Sequence, residues 1–346
     1  MKALSAALVR VPGLTGIGAA DLKPLPTKGI AHDHVRIGAS GYIARVPRPV
    51  QFAADAGPDA YIRYQAASFA RAAPSGHVPR LVAAIAPSAG LPRGALVIEE
   101  IVGRPPRLPE ELALIAECLA RIHSLPVPPP AERPPLIDHE DPARGTLDVI
   151  ERNARSLDAA GVAGTARRAI EEEIAWARRF AADAKGKDQP VTLVVSDSHP
   201  GNYLVDAPPN RPTRRAMFVD IEKTIYGSPA VDLAHATVYT STTWDVDCGS
   251  VLKPDVVAGF YRDYRARIDA DLARRLKPWL APMRRLTWLR TTTWACRFKA
   301  ELLDRGEAGD PASAYVRHVQ ARIADFLNPA TIASIRREWL EGRIAL

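Results

Sequence analysis

Short β-rich runs bounded by glycine and proline are confined to two stretches of this 346-residue chain, about 28–102 and 191–220. From about residue 231 onward nearly every segment carries helical spacing. Strands segregated from helices in this way predict an α+β chain, not an alternating βαβ sheet. In the first stretch, "HDHVRIG", "GYIARVPR", "HVPRLVAA" and "GALVIEEIVG" read as strands. Between them the alanine-rich "DAYIRYQAASFARAA" reads as one helix, with Asp59 as its cap. After Gly103 the character changes. "LPEELALIAECLARIHSL" is a strongly amphipathic helix, and a proline-rich run, "PVPPPAERPPLIDHEDPARG", reads as a connector or lid. "GTARRAIEEEIAWARRFAADA" is a further helix, Val191–Asp220 reads as three strands with "APPNRPTRR" as a hairpin loop, and helices fill the remainder. The expected fold is a small mixed N-terminal lobe, 1–102, and a larger, mainly helical C-terminal lobe, 103–346.

Composition excludes several classes. Cys118, Cys248 and Cys296 are odd in number and far apart, so neither a disulfide framework nor a metal-type spacing is present, and a reducing cytoplasm is the expected setting. In the opening segment "MKALSAALVRVPGL", Arg10 and Pro12 break a signal-type apolar core, which predicts a first helix. No apolar run reaches membrane-spanning length. The net charge of +7 and pI near 9.4 suit anionic ligands such as phosphates. The arginines are scattered through helical segments, which predicts solvated faces and no nucleic-acid partner.

The chemistry concentrates in "LVVSDSHPGNYLVD" and "AMFVDIEKTIYGSPAVDLAH". Asp197 and Asn202 stand five apart on a loop between two apolar strands, and Asp220 ends a third strand. The Pro200-Gly201 turn brings Asn202 back toward Asp197. Mg²⁺ takes hard oxygen ligands together with substrate phosphates, and an aspartate beside an incoming hydroxyl orients it and accepts its proton. A polar loop held by Asx-type hydrogen bonds is the plainer reading of the same residues.

These segments resemble the aminoglycoside phosphotransferase and choline kinase family, a branch of the protein-kinase-like phosphotransferases. The family reads His-Gly-Asp-Leu-His-Pro-Gly-Asn, then Asp-Trp-Glu, Gly-Asp-Pro and Asp-Leu-Ala. "YIARVPR", "LVIEEIVGRP" and "CLARIHSLPVP" match its phosphate-binding strand, hinge and following helix, in the same order. The resemblance covers about Lys28–His235 by motif. It implies a bilobal protein-kinase-like fold and an ATP-dependent kinase acting on a hydroxyl of an amino alcohol, aminoglycoside or sugar-like small molecule. Residue by residue it implies Asp197 as catalytic base and Asn202 and Asp220 as Mg²⁺ ligands. It further implies a nucleotide site from Gly29, Arg45, Gln65, Glu99 and Ile101, with Asp232 bracing the catalytic loop.

The chain departs from the pattern in three places. Val195-Ser196 replaces His-Gly, Gln65 stands where the helix usually offers a glutamate to Arg45, and Gly29 is the one glycine of the nucleotide loop. These departures motivate a second reading, a nucleotide-binding pseudokinase or regulatory module. On the acceptor side Glu222 and the group Trp244, Asp245 and Asp247 are candidates. An aromatic face beside carboxylates suits a cationic substrate, and a capping loop is the alternative. His199 is expected to hydrogen-bond locally, and 138–141 to be a solvated acidic loop.

Overall fold

A computed structural model describes residues 1–26, 31–48, 57–206, 214–304 and 314–346. Gly29 lies outside the described residues. Five antiparallel strands, β1 (Leu22–Pro24), β2 (His32–Ile37), β3 (Tyr42–Pro47), β4 (Leu81–Ile85) and β5 (Ala95–Glu99), form one sheet in the order β1-β2-β3-β5-β4. β5 explains why "ALVI" is apolar without alternation: both of its faces are buried. Ala95 and Val97 join the cluster that α1 (Lys2–Leu8) closes with Leu4 and Leu8. Leu96 and Ile98 face the other way, toward Ile62 and Phe69 of α2 (Gly57–Ala72) and the main core. Asp59 falls in the first turn of α2, where it pairs with Arg63.

The expected single strand "GALVIEEIVG" is two. β5 stops at Glu99, and β6 (Gly103–Arg104) pairs instead with β8 (Tyr203–Asp206), which pairs with β9 (Arg215–Phe218). Gly103 permits this close pairing, because a Cβ there would lie 2.8 Å from the Val205 carbonyl oxygen. A third, two-stranded sheet joins β7 (Thr192–Val194) to β10 (Ile225–Gly227). β1 and β10, three residues each, were too short to show in the pattern.

Around these small sheets lie α3 (Leu112–His123), α4 (Pro142–Ala154), α5 (Gly164–Ala184), α6 (Pro229–His235), α7 (Tyr239–Thr242), α8 (Pro254–Arg265) and α9 (Ala270–Leu276). α10 (Leu280–Asp304), α11 (Ala314–Phe326) and α12 (Pro329–Leu340) complete them. The proline-rich run is not wholly a connector. Asp141 accepts the Arg144 N–H and Pro142 occupies the first turn, so α4 begins inside it. Leu136 is buried, the His139 N–H donates to the Tyr226 carbonyl, and Asp138 pairs with Arg133. The helical stretch "AVDLAHATVYT" is not continuous: it divides between α6 and α7. The tryptophans of the C-terminal half do not form one cluster: Trp288 packs on Trp339, Trp279 on Phe180 and Trp294 on Phe298. Among the described residues no helix is long and apolar enough to cross a membrane.

Candidate active site

The loop after β7 is held by its backbone. The Val195 and Ser196 N–H groups donate to the two carboxylate oxygens of Asp232 at 2.7 and 2.8 Å. Asp232 is fully buried on α6 and fixed in turn by His123, whose Nε2 lies 3.0 Å from Asp232 Oδ2 and whose Nδ1 lies 2.9 Å from the Tyr264 hydroxyl. Ser196 turns the chain through φ 56°, the one positive-φ position among described non-glycine residues. That conformation costs a side-chain-bearing residue on the order of 1 kcal/mol, which accounts for glycine in the family's pattern. Ser196 gains compensation from its neighbours: its Oγ donates to the Lys223 carbonyl at 2.7 Å, and the Ser196 carbonyl accepts from Arg290 Nη2 at 2.6 Å. The loop therefore has a full set of braces although Val195 replaces the histidine.

Beyond the turn, a 3₁₀ segment, Pro200–Asn202, folds back so that Asn202 Nδ2 donates to the Asp197 carbonyl at 2.8 Å. The Val219 N–H donates to the Asn202 carbonyl at 2.9 Å, which sets Asp220 beside Asn202 at one end of the β8–β9 hairpin. Gly201 has no room for a side chain, since a Cβ would lie 2.5 Å from Asp245 Oδ2. Asp197, Asn202 and Asp220, drawn from three separate sequence positions, thus share one site.

On one side of Asp220 stands Arg45, 2% exposed in its side chain. Its guanidinium donates to the Val219 carbonyl, to Asp220 and to Glu222 Oε2 at 3.3 Å, and lies 3.1 Å from His32 Nδ1. Tyr61 OH donates to Glu222 Oε2 at 3.0 Å, and His32 Nδ1 lies 3.0 Å from the same oxygen. Burial lowers His32 to a pKa of about 2, with Arg45 adding to the effect. Burial and the neighbouring Asp220 raise Glu222. For Asp220 burial acts upward too, but Arg45 and Lys223 outweigh it and hold the carboxylate below its usual range. Gln65 is buried nearby on α2, with no hydrogen bond to Arg45 and neither amide atom partnered among the described residues. The carboxylate partners of Arg45 come instead from the segment after β9.

On the other side stands Asp197. Lys223 Nζ lies 2.5 Å from its Oδ2, and His235 Nδ1 lies 3.7 Å from its Oδ1. Burial favours the protonated carboxyl, yet Lys223 first, with His199 and His235, overrides it and holds Asp197 far below the ordinary range. Burial lowers both His199 and His235. Their rings meet edge to face at 6.1 Å, and the Nδ1 atom of each is buried without a hydrogen-bond partner among the described residues. His199 does bond locally, but through its carbonyl, which accepts the Asn202 N–H at 3.0 Å.

Of the hinge residues, Glu99 ends β5 opposite Tyr42, and its side chain and N–H are bonded to Arg80. Ile101 makes no hydrogen bond within the described residues, so its N–H and carbonyl are open to a ligand. The acceptor-side candidates do not converge. Glu222 is taken by Arg45, His32 and Tyr61. The Trp244 ring packs against Trp294 and Phe326 in a small apolar cluster. Asp245 accepts the Asp247 N–H at 2.8 Å and lies against Gly201, while exposed Asp247 borders a cavity of about 450 Å³ shared with Arg104 and Arg107. Sequence reasoning missed Lys223, His235 and Arg290. A lysine three residues past Asp220 and an arginine on a helix with several others carry no pattern of their own; their contacts with the loop are what mark them.

A five-stranded antiparallel sheet joined to a helical body, with the loop carboxylates at the junction, defines a protein-kinase-like fold. The profile of the phosphotransferase enzyme family matches residues 22–279, and the chain belongs to that family. Solved structures agree in fold. An ethanolamine kinase from Plasmodium vivax is 12% identical, with 96% of this chain and 89% of that chain covered and a TM-score of 0.60. A choline kinase from Cryptosporidium parvum is 13% identical, with 98% of each chain covered and a TM-score of 0.59. The GDP complex of an aminoglycoside 2'-phosphotransferase-IIIa is 12% identical, with 94% and 98% covered and a TM-score of 0.59. No curated protein matches the sequence significantly.

Proposed function

We propose that this phosphotransferase moves the γ-phosphoryl group of ATP to a hydroxyl of a small molecule of the amino alcohol, aminoglycoside or sugar-like kind. The observation that carries the reading is the junction of Asp197, Asn202 and Asp220 at one end of the β8–β9 hairpin. Asp197, kept ionised, accepts the proton of the incoming hydroxyl. Asn202 and Asp220 suit Mg²⁺. The Asn202 amide nitrogen is committed to the Asp197 carbonyl, so its oxygen is the free donor, and the Asp220 carboxylate is partly exposed. Two hard oxygens plus phosphate oxygens are a common Mg²⁺ set. When bound, the ion supplies positive charge to the β- and γ-phosphate oxygens.

In the same reading Arg45 and Gln65 line the phosphate end of the nucleotide site, Gly29 belongs to its loop, and Glu99 and Ile101 present hinge backbone to the base. The GDP complex of the aminoglycoside enzyme supports a nucleotide in this fold. A nucleotide lobe of 1–102 and a catalytic lobe of 103–346 accord with β5 and β6 belonging to different sheets. The ethanolamine, choline and aminoglycoside kinases among the neighbours support an acceptor bearing an amine. In this chain Asp245 and Asp247 are the carboxylates proposed to meet it, Glu222 and Trp244 being engaged elsewhere. The three free cysteines fit a cytoplasmic setting. The braced loop favours catalysis over a purely regulatory nucleotide-binding role.

Thermal-shift titration with ATP and GTP, with and without Mg²⁺, tests the reading. Ligand at a hundred times its Kd stabilises the fold by about 2.7 kcal/mol. A screen of amino alcohols, aminoglycosides, sugars and nucleosides by ATP consumption then finds the acceptor. Absence of any shift with millimolar nucleotide would overturn the proposal.

A further inference from the structure

The kinase reading leaves one charge of the site without a task, and the role inferred for that charge rests on the same reading. Lys223 Nζ is paired with Asp197 Oδ2. Its position is built by the chain: the 3₁₀ turn Ile221–Lys223 directly after Asp220 carries it back toward the catalytic loop, and its carbonyl is tied to Ser196 Oγ. The ammonium also lies in the field of the Asp220 and Glu222 carboxylates, which favour its charged form. A permanent pair would be chemically awkward, because an ammonium fixed on Asp197 makes it a poorer proton acceptor. The pair is reasonable if the lysine changes partner when phosphate arrives. Exposure distinguishes Lys223 from Arg45: the Lys223 side chain is 33% exposed, that of Arg45 only 2%. Arg45 is held in a buried cluster, whereas Lys223 carries its charge on a flexible four-carbon stem that is partly open to solvent.

We propose that Lys223 is a catalytic residue whose ammonium moves from Asp197 to the non-bridging oxygens of the γ-phosphoryl group once Mg·ATP is bound. In the transfer the acceptor oxygen forms a bond to Pγ. The bond from Pγ to the bridging oxygen breaks, its electron pair leaving with ADP, and the acceptor proton passes to Asp197. Charge accumulates on the three equatorial oxygens during this exchange, where a compact ammonium with three rotatable donors can follow it. Leaving Asp197 at the same moment, Lys223 restores that carboxylate as a base. A donor acting only there contributes about 10²–10³-fold to kcat.

The test needs no known acceptor. Calorimetry on the full chain would compare Mg·ADP alone with Mg·ADP plus aluminium fluoride, a mimic of the transferring group, for wild type, Lys223→Met, Lys223→Gln and Lys223→Arg. Both neutral variants should bind Mg·ADP within about twofold of wild type and lose at least about tenfold in affinity for the aluminium fluoride complex. Lys223→Arg should recover part of that loss. Having two neutral variants guards against one failing to fold, which melting curves reveal. Equal weakening of both complexes, or of neither, would show Lys223 to be only a structural partner of Asp197. Failure of the wild type to bind Mg·ADP at all would instead bring down the kinase reading, and this role with it.

Discussion

The two flanks of Asp220 are both buried and charged, and they are built to different ends. On the Arg45 side every charged group has a partner: one guanidinium serves Asp220, Glu222, His32 and the Val219 carbonyl, and Tyr61 completes Glu222. On the Asp197 side the backbone is equally fixed, but the side chains are not closed off. Among the described residues the Nδ1 atoms of His199 and His235 lack a hydrogen-bond partner, as do Arg45 Nε and His32 Nε2 on the first side, but Lys223 is one-third exposed where Arg45 is buried. A buried ionic cluster holds strand β3 to the segment after β9 before any ligand binds. A more exposed one leaves room for groups that arrive and depart. Preorganisation of the backbone with reserve in the side chains is what a transfer step requires.

Substitutions can break this contrast. The largest effect should come from Asp197→Asn, which lowers kcat by about 10²–10⁴-fold while Mg·ATP affinity stays near wild type. Steady-state kinetics on the identified acceptor, with nucleotide binding measured separately, checks both halves. Arg45→Met should act on stability as well as on nucleotide binding. Removing one partner of a buried pair costs about 3–5 kcal/mol, to be read by urea denaturation.

The sign of its pH dependence comes from Glu222, already raised by burial and Asp220. Without Arg45 it holds its proton to still higher pH, whereas the unfolded chain releases it near about pH 4.3. Across that window the folded state binds more protons, so stability falls as pH rises. The deficit of the variant should be greater at pH 8 than at pH 5; an equal deficit would mean that Glu222 is not buried beside Arg45.

Smaller effects sharpen the account of the loop. Asp232→Asn leaves one of the two loop N–H groups facing an amide donor and should cost about 1–3 kcal/mol, with kcat reduced through disorder of Asp197. Ser196→Gly should be the mildest. It relieves the φ of 56° but loses the hydrogen bond to the Lys223 carbonyl, terms of about 1 kcal/mol each that oppose one another. Its melting temperature should stay within a few degrees of wild type.

The legible part of the sequence divides along the same line. That Asp197, Asn202 and Asp220 lie together could be read because the Pro200-Gly201 turn and the flanking apolar strands set where they fall; their roles in transfer are part of the proposal. The bracing role of Asp232 came from its place in the pattern. Arg290, Lys223 and His235 could not be read, because each reaches the loop from an element whose approach is decided by packing. Trp244 beside Asp245 looks the same in a sequence whether its ring lines a pocket or, as here, packs on Trp294 and Phe326. α4 was hidden for a related reason: prolines mark loops on average, yet Pro142 in a first turn behind an Asp141 cap is a helix start. β5 and β6 read as one strand since nothing in "VIEEIVGR" announces the change of sheet that separates Glu99 from Gly103.

The most direct test of the central claim is a crystal structure of the full chain with Mg²⁺ and a non-hydrolysable ATP analogue. The ion should be held by Asn202 Oδ1 and Asp220, with the γ-phosphoryl group between that ion and Asp197 and the base against the backbone at Ile101. An ion held instead by His32 and Glu222, or a nucleotide bound away from Asp197, would contradict it.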